Sequence, residues 1–164
     1  MIWDSAQGAG YCPQTAHATP IVANQLVYSP DATGISIFSA QTGAGSGTLA
    51  DSLPAAFSGN TGYFAQGANL DAVDLTHGTV AWTFLGDGSQ MTATPIVINT
   101  AVVAGSASGP LYALDSTSGK QLWLQALPGQ IEQVSAGDGW LVAVAEAGND
   151  GSGTLVAYAL ASGQ

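Results

Sequence analysis

Apolar positions along this chain come in short bursts separated by turn-forming residues. Thr94-Pro95-Ile96-Val97 leads into Val102-Val103-Ala104-Gly105 and then Leu111-Tyr112-Ala113-Leu114. An earlier set runs Thr19-Pro20-Ile21-Val22, Leu26-Val27-Tyr28 and Ile35-Ser36-Ile37-Phe38. The runs are β-branched or aromatic and bounded by Gly, Asn, Asp and Ser, which is the signature of strands rather than helices. In the best-kept unit the pattern predicts strands over 94–98, 101–105, 110–114 and 120–125. No apolar run reaches 18 residues, so neither a membrane helix nor a helical bundle is suggested.

The bursts repeat. Residues 72–82 (AVDLTHGTVAW) and 113–123 (ALDSTSGKQLW) both read Ala-x-Asp-x-x-x-Gly-x-x-x-Trp, 41 residues apart. The motif residues are Ala72, Asp74, Gly78 and Trp82 in one copy and Ala113, Asp115, Gly119 and Trp123 in the other. The Asp-x-x-x-Gly stretch is expected to be the hairpin between the last two strands of a unit. A carboxylate there accepts from N–H groups two or three residues on, and glycine takes the positive φ. The two Trp are expected to fill the gap between neighbouring units.

Two further copies are degraded. Residues 37–47 keep Gly43 but carry Ser39 for Asp and Gly47 for Trp, while the last copy keeps Ala157 and Gly163 with Ala159 for Asp. Joining the ends completes the last one: Gly163-Gln164-Met1-Ile2-Trp3 puts Trp3 at the required position. Four-stranded antiparallel units of about 40 residues are β-propeller blades. The expectation is thus an all-β chain forming one β-propeller domain over 1–164, with blades near 18–50, 52–84, 92–126 and 131–164 plus 1–3. Four units fit a four-bladed ring, half of an eight-bladed ring closed by two copies head-to-tail, or part of a larger propeller; the last is favoured.

The motif resembles the tryptophan-docking repeat of pyrroloquinoline quinone (PQQ) dehydrogenases and their non-enzymatic relatives. Thr-Pro-Ile-Val, Leu-Tyr-Ala-Leu-Asp and Gly-Lys-Gln-Leu-Trp fit it closely, and the likeness runs through the chain, well in two blades and weakly in two. It implies a WD-like ring of blades. For an active dehydrogenase it also implies an axial quinone, an aromatic platform, Ca²⁺ held by carboxylates and amides, a catalytic Asp and often a cysteine pair.

Composition weakens the enzymatic branch. One cation (Lys120, with no Arg) stands against 11 acids, giving a net charge of −10. Such a chain cannot neutralise phosphates, so nucleic acid and anionic membrane surfaces are poor partners. It also cannot pair the carboxylates of PQQ. Cys12 is alone, so there is no disulfide or cysteine-rich metal site. His17 and His77 lack metal-ligand spacing. The Asp- and Asn-rich turns at 86–89 and 148–153 lack calcium-loop spacing and read as tight turns. Trp140, outside the motif, reads as an inter-blade packing residue before it reads as a platform.

No catalytic, cofactor-binding or metal residue is therefore assigned, and no cofactor is expected. The function expected is that of a binding, scaffold or structural assembly module, extracytoplasmic (periplasmic, cell-surface or secreted) and bacterial. Its partner would be a protein or glycan met through inter-blade loops such as 4–17 and 85–93. In terms of the resemblance, the nearest analogue is the scaffold lipoprotein of outer-membrane barrel assembly. The alternative is a portion of a PQQ-dependent alcohol or sugar dehydrogenase, with PQQ and Ca²⁺ as cofactors.

Overall fold

The computed structural model of the chain describes residues 19–31, 34–50, 53–147 and 152–160. Within them every regular element is a strand. The first sheet is β1 (Ile21–Ala23), β2 (Leu26–Asp31), β3 (Gly34–Ser39) and β4 (Gly45–Ala50). The second is β5 (Ala56–Ser58), β6 (Thr61–Gln66), β7 (Asn69–Asp74) and β8 (Thr79–Phe84). The third is β9 (Met91–Ile98), β10 (Ala101–Ser106), β11 (Pro110–Asp115) and β12 (Gln121–Ala126), and the fourth is β13 (Gln130–Gly137), β14 (Trp140–Glu146) and β15 (Gly153–Ala159). Each sheet pairs its strands antiparallel in chain order. The chain is an all-β propeller-type array of four blades, the last three-stranded among the described residues.

The final hairpin is built alike in three blades. Gly43, Gly78 and Gly119 have φ of 73°, 65° and 69°, values that a side chain resists. Their N–H groups donate to the carbonyls of Ser39, Asp74 and Asp115 at 2.9, 2.7 and 2.9 Å. Each hairpin has a register shift at the same place, after Ile37, Ala72 and Ala113, so one extra residue on the outer strand opens the turn. Just before the shift, Ala72 lies opposite Trp82, Ala113 opposite Trp123, and Ile37 opposite Gly47.

The buried apolar residues form three clusters, each shared by two neighbouring blades. Tyr63, Leu70 and Ala72 meet Met91, Val102, Tyr112 and Leu114 between the second and third blades. Val103, Leu111 and Ala113 meet Ile131, Leu141 and Ala143 between the third and fourth. Between the first and second, the fully buried members are Tyr28, Ile35, Ala55 and Phe64, and most of the surrounding apolar side chains are only partly buried. That junction is the least well filled of the three.

The expected loop 85–93 is shorter than the sequence indicated. Strand β9 already begins at Met91, whose N–H donates to Gly67 O at 2.7 Å and whose side chain is buried, so the loop ends at residue 90. The segment 4–17, with Cys12 and His17, lies outside the described residues, as do Trp3, Gly163 and most of the 148–153 turn. Among the described residues no helix is long and apolar enough to cross a membrane.

Candidate functional site

At the junction of the second and third blades Trp82 of one motif copy meets the Asp115–Gly119 turn of the other. Trp82, on the outer strand β8, reaches across to the β11–β12 hairpin of the next blade. Its Nε1–H donates to Ser116 O at 3.1 Å, and a Cβ built on Gly119 would lie 2.6 Å from indole Cδ2. Tyr63 completes the seat: its ring centroid is 5.8 Å from that of the indole, and its hydroxyl donates to the same Ser116 carbonyl at 3.1 Å. Burial raises the Tyr63 phenol above its ordinary pKa. Only a residue without a side chain leaves room for the indole, and only Gly accepts the φ of 69° there at no steric cost.

Asp74 and Asp115 hold the turns. Asp115 Oδ1 accepts from the N–H groups of Thr117 (3.2 Å) and Ser118 (2.8 Å) and from Ser118 Oγ (2.7 Å). Asp74 accepts from Thr76 N–H at 2.8 Å and meets His77 Nδ1 at 2.7 Å. These bonds favour the ionised form, so both carboxylates lie below their usual range, Asp74 chiefly through His77 and Asp115 chiefly through Ser118. His77 is 70% exposed, and its Nδ1 meets the Asp74 carboxylate of its own turn. In the degraded first blade Ser39 takes the Asp role more weakly, accepting from Thr42 N–H at 3.3 Å.

Sequence reasoning missed a second polar cluster. Asp87, in the loop after β8, accepts from the N–H (3.0 Å) and hydroxyl (2.6 Å) of Ser89, and Ser108 Oγ donates to its other oxygen. The Ser108 and Ser89 bonds lower its pKa to about 2. Its N–H donates to Tyr112 OH at 3.1 Å, tying the inter-blade loop to β11. The tight-turn signal of Gly86-Asp87-Gly88 was readable; Ser108, 21 residues away in the β10–β11 turn, was not. Gly105 was also missed. A Cβ there would meet Ile131 Cγ2 of the next blade at 2.4 Å, and its only sequence signal is a Gly inside a strand run.

Trp140 departs from the expectation of inter-blade packing. It opens β14 at the β13–β14 turn and is 49% exposed. Trp123 is 37% exposed, with its ring centroid 6.3 Å from that of Tyr158 in the fourth blade. The hairpin on which it would dock lies beyond the described residues.

Inner-strand segments of all four blades line one cavity of about 560 Å³, contributed by Thr19 and Ile21, Pro54, Thr94 and Ile96, and Glu132, Gln133 and Val134. An axial quinone would belong in such a place. Among the described residues this lining supplies one carboxylate, no aromatic face and no cation. Among the described residues no three His, Cys, Asp or Glu side chains gather as a metal site.

The chain matches the family described as outer membrane protein assembly factor BamB over residues 3–164. It belongs to that family. Among solved structures, the computationally designed Ika4 protein is similar with a TM-score of 0.70 and 17% identity, over 90% of this chain and 94% of Ika4. BamB from Moraxella catarrhalis is similar with a TM-score of 0.65 and 20% identity, over 85% of this chain but 44% of that BamB. The designed Ika8 protein gives 0.68 and 20%, over 88% of this chain and 46% of Ika8. The chain thus spans nearly all of Ika4 and under half of the other two. No curated protein matches it in sequence. At these identities the structural likeness establishes a PQQ-like β-propeller fold.

Proposed function

We propose that this BamB-family chain is a non-catalytic, extracytoplasmic protein-binding module that serves as a scaffold in a larger assembly. The observation that carries the reading is the family match over residues 3–164. It is supported by the surface of the third blade. There the outer strand β12 is exposed along its whole length and presents Leu122, Trp123 and Leu124 at 54%, 37% and 47% exposure. A strand at the edge of its sheet with consecutive large apolar side chains suits capture of an extended segment by strand addition. The acidic surface adds a preference for a partner with basic residues around its contact.

The experiment is quantitative capture of solubilised envelope proteins on the immobilised chain, beside the double variant Leu122→Lys, Leu124→Lys. A partner that binds saturably to the native chain and is lost from the variant is the expected result. Equal capture by both would count against β12, and no saturable partner would count against the binding role. A parallel titration with PQQ and Ca²⁺ addresses the dehydrogenase reading. A saturable quinone spectral shift with dye-linked alcohol oxidation would replace the present one. Light scattering reads the native mass and so distinguishes one chain from a two-copy ring.

A further inference from the structure

We propose that the junction between the first and second blades is a binding site for a small, flat, neutral aromatic molecule that carries an N–H donor, of which indole is the type. The argument starts from the repeat. At the next junction the equivalent space is filled by Trp82, which rests on Gly119, sits beside Tyr63 and donates to Ser116 O. In the first blade the residue at Trp82's register position, opposite Ile37 as Trp82 is opposite Ala72, is Gly47. The glycine and the tyrosine of the seat are kept. Gly78 stands where Gly119 does, with φ 65° and nothing within 4 Å of an added Cβ. Tyr28 stands where Tyr63 does, pairing with Ile21 as Tyr63 pairs with Ala56.

What remains is a cavity of about 350 Å³, open on one side and walled mainly by Leu26, Tyr28, Leu49, Val73 and Leu75. This volume falls within the usual range of small-molecule sites, roughly 300–1,000 Å³. Dry apolar cavities of about 150 Å³ are already enough to take up benzene. Tyr28 and Phe64 both line the cavity, with ring centroids 5.9 Å apart. These rings favour an aromatic guest over an aliphatic one of equal volume.

The polar groups specify the rest. Leu75 O occupies the place of Ser116 O and here accepts from Asn24 Nδ2 at 3.1 Å. A carbonyl has two lone pairs, and Ser116 O itself takes two donors, so Leu75 O has capacity for a guest N–H beside Asn24. Asp71 and Gln66 also line the cavity, and Asp71 is held by Thr83 Oγ1 at 2.6 Å. That carboxylate, within a chain of net charge −10, discriminates against an anionic guest.

The test is ¹⁹F NMR titration of the whole chain with 5-fluoroindole, with indole-3-acetate as an anionic competitor. Saturable one-to-one binding is expected, with indole displacing the probe and indole-3-acetate at least about tenfold weaker. Gly47→Trp should abolish binding by supplying the missing indole in place. Gly47 has φ 157°, at the border of the extended region, so a Trp there asks for a modest backbone adjustment. Should that variant fail to fold, Val80→Glu serves instead. Val80 lines the cavity yet is 56% exposed, and the new charge should weaken binding by about tenfold or more. Absence of saturable binding would overturn the proposal, including the case in which an indole from this chain or a second copy already fills the gap. Binding untouched by both variants would place the probe elsewhere and overturn it equally.

Discussion

Trp82 and Gly119 belong to neighbouring blades, yet the indole covers the glycine so closely that a single methyl group would stand 2.6 Å from ring atom Cδ2. The same turn one blade earlier, at Gly78, has the same backbone and no indole over it. The two glycines therefore separate conformational strain from steric packing.

Gly78→Ala should show strain alone, roughly 1–2 kcal/mol for an alanine held in the left-handed region. Gly119→Ala should add about 1–3 kcal/mol of overpacking against Trp82. Urea unfolding of the two variants measures the difference. Equal losses would mean that the indole moves aside without cost.

Trp82 contributes both packing and a hydrogen bond, and the two can be divided. Trp82→Phe removes the Nε1–H but leaves Ser116 O with the Tyr63 hydroxyl, so no buried acceptor is stranded. The loss should be about 1–2 kcal/mol from the bond and the smaller ring together. Trp82→Ala also opens the inter-blade space and should cost about 3 kcal/mol, at the lower end for a half-buried tryptophan. Denaturant midpoints at constant m-value report both.

Gly105→Ala changes no turn and no charge, yet it should be among the more damaging single methyl additions. The new Cβ would meet Ile131 at 2.4 Å, where the third and fourth blades touch and Thr92 Oγ1 donates to Ile131 O at 2.6 Å. About 1–3 kcal/mol of destabilisation is expected, and because alanine at 131 removes the Cγ2 and Cγ1 atoms that the new Cβ meets, the double variant Gly105→Ala, Ile131→Ala should lose less than the sum of the two single variants. A double-mutant cycle by thermal unfolding checks the coupling.

Acid should unfold the chain in a way that Asp87 helps to set. Its folded pKa is about 2, lowered by the Ser108 and Ser89 bonds, against about 4 in an unfolded chain. The folded state thus binds the proton less readily, and the stabilisation is complete above about pH 4 and lost as pH falls through 2. Asp87→Asn should be destabilised at pH 7, with the gap from the native chain closing towards pH 2. Urea midpoints across that range give the test; a gap of constant size would remove Asp87 from the acid transition.

Turn chemistry was legible in the sequence because it is local. A carboxylate at Asp115 reaches the N–H groups of Thr117 and Ser118, and Gly119 takes the positive φ, all within five residues. The strand periods were legible for the same reason, since alternation and β-branching act residue by residue. Together they determined an all-β chain of four repeated units and the register of each hairpin. Only the tertiary structure decided which repeats fit together. It packed Trp82 against Gly119, left Trp140 half exposed, drew Ser108 onto Asp87 and pressed Gly105 against Ile131. It also showed that Gly47, in sequence merely a lapse in the motif, leaves a walled cavity over Gly78. Those outcomes depend on how closely two blades approach, a distance fixed by side chains remote in sequence that the pattern within one blade does not encode.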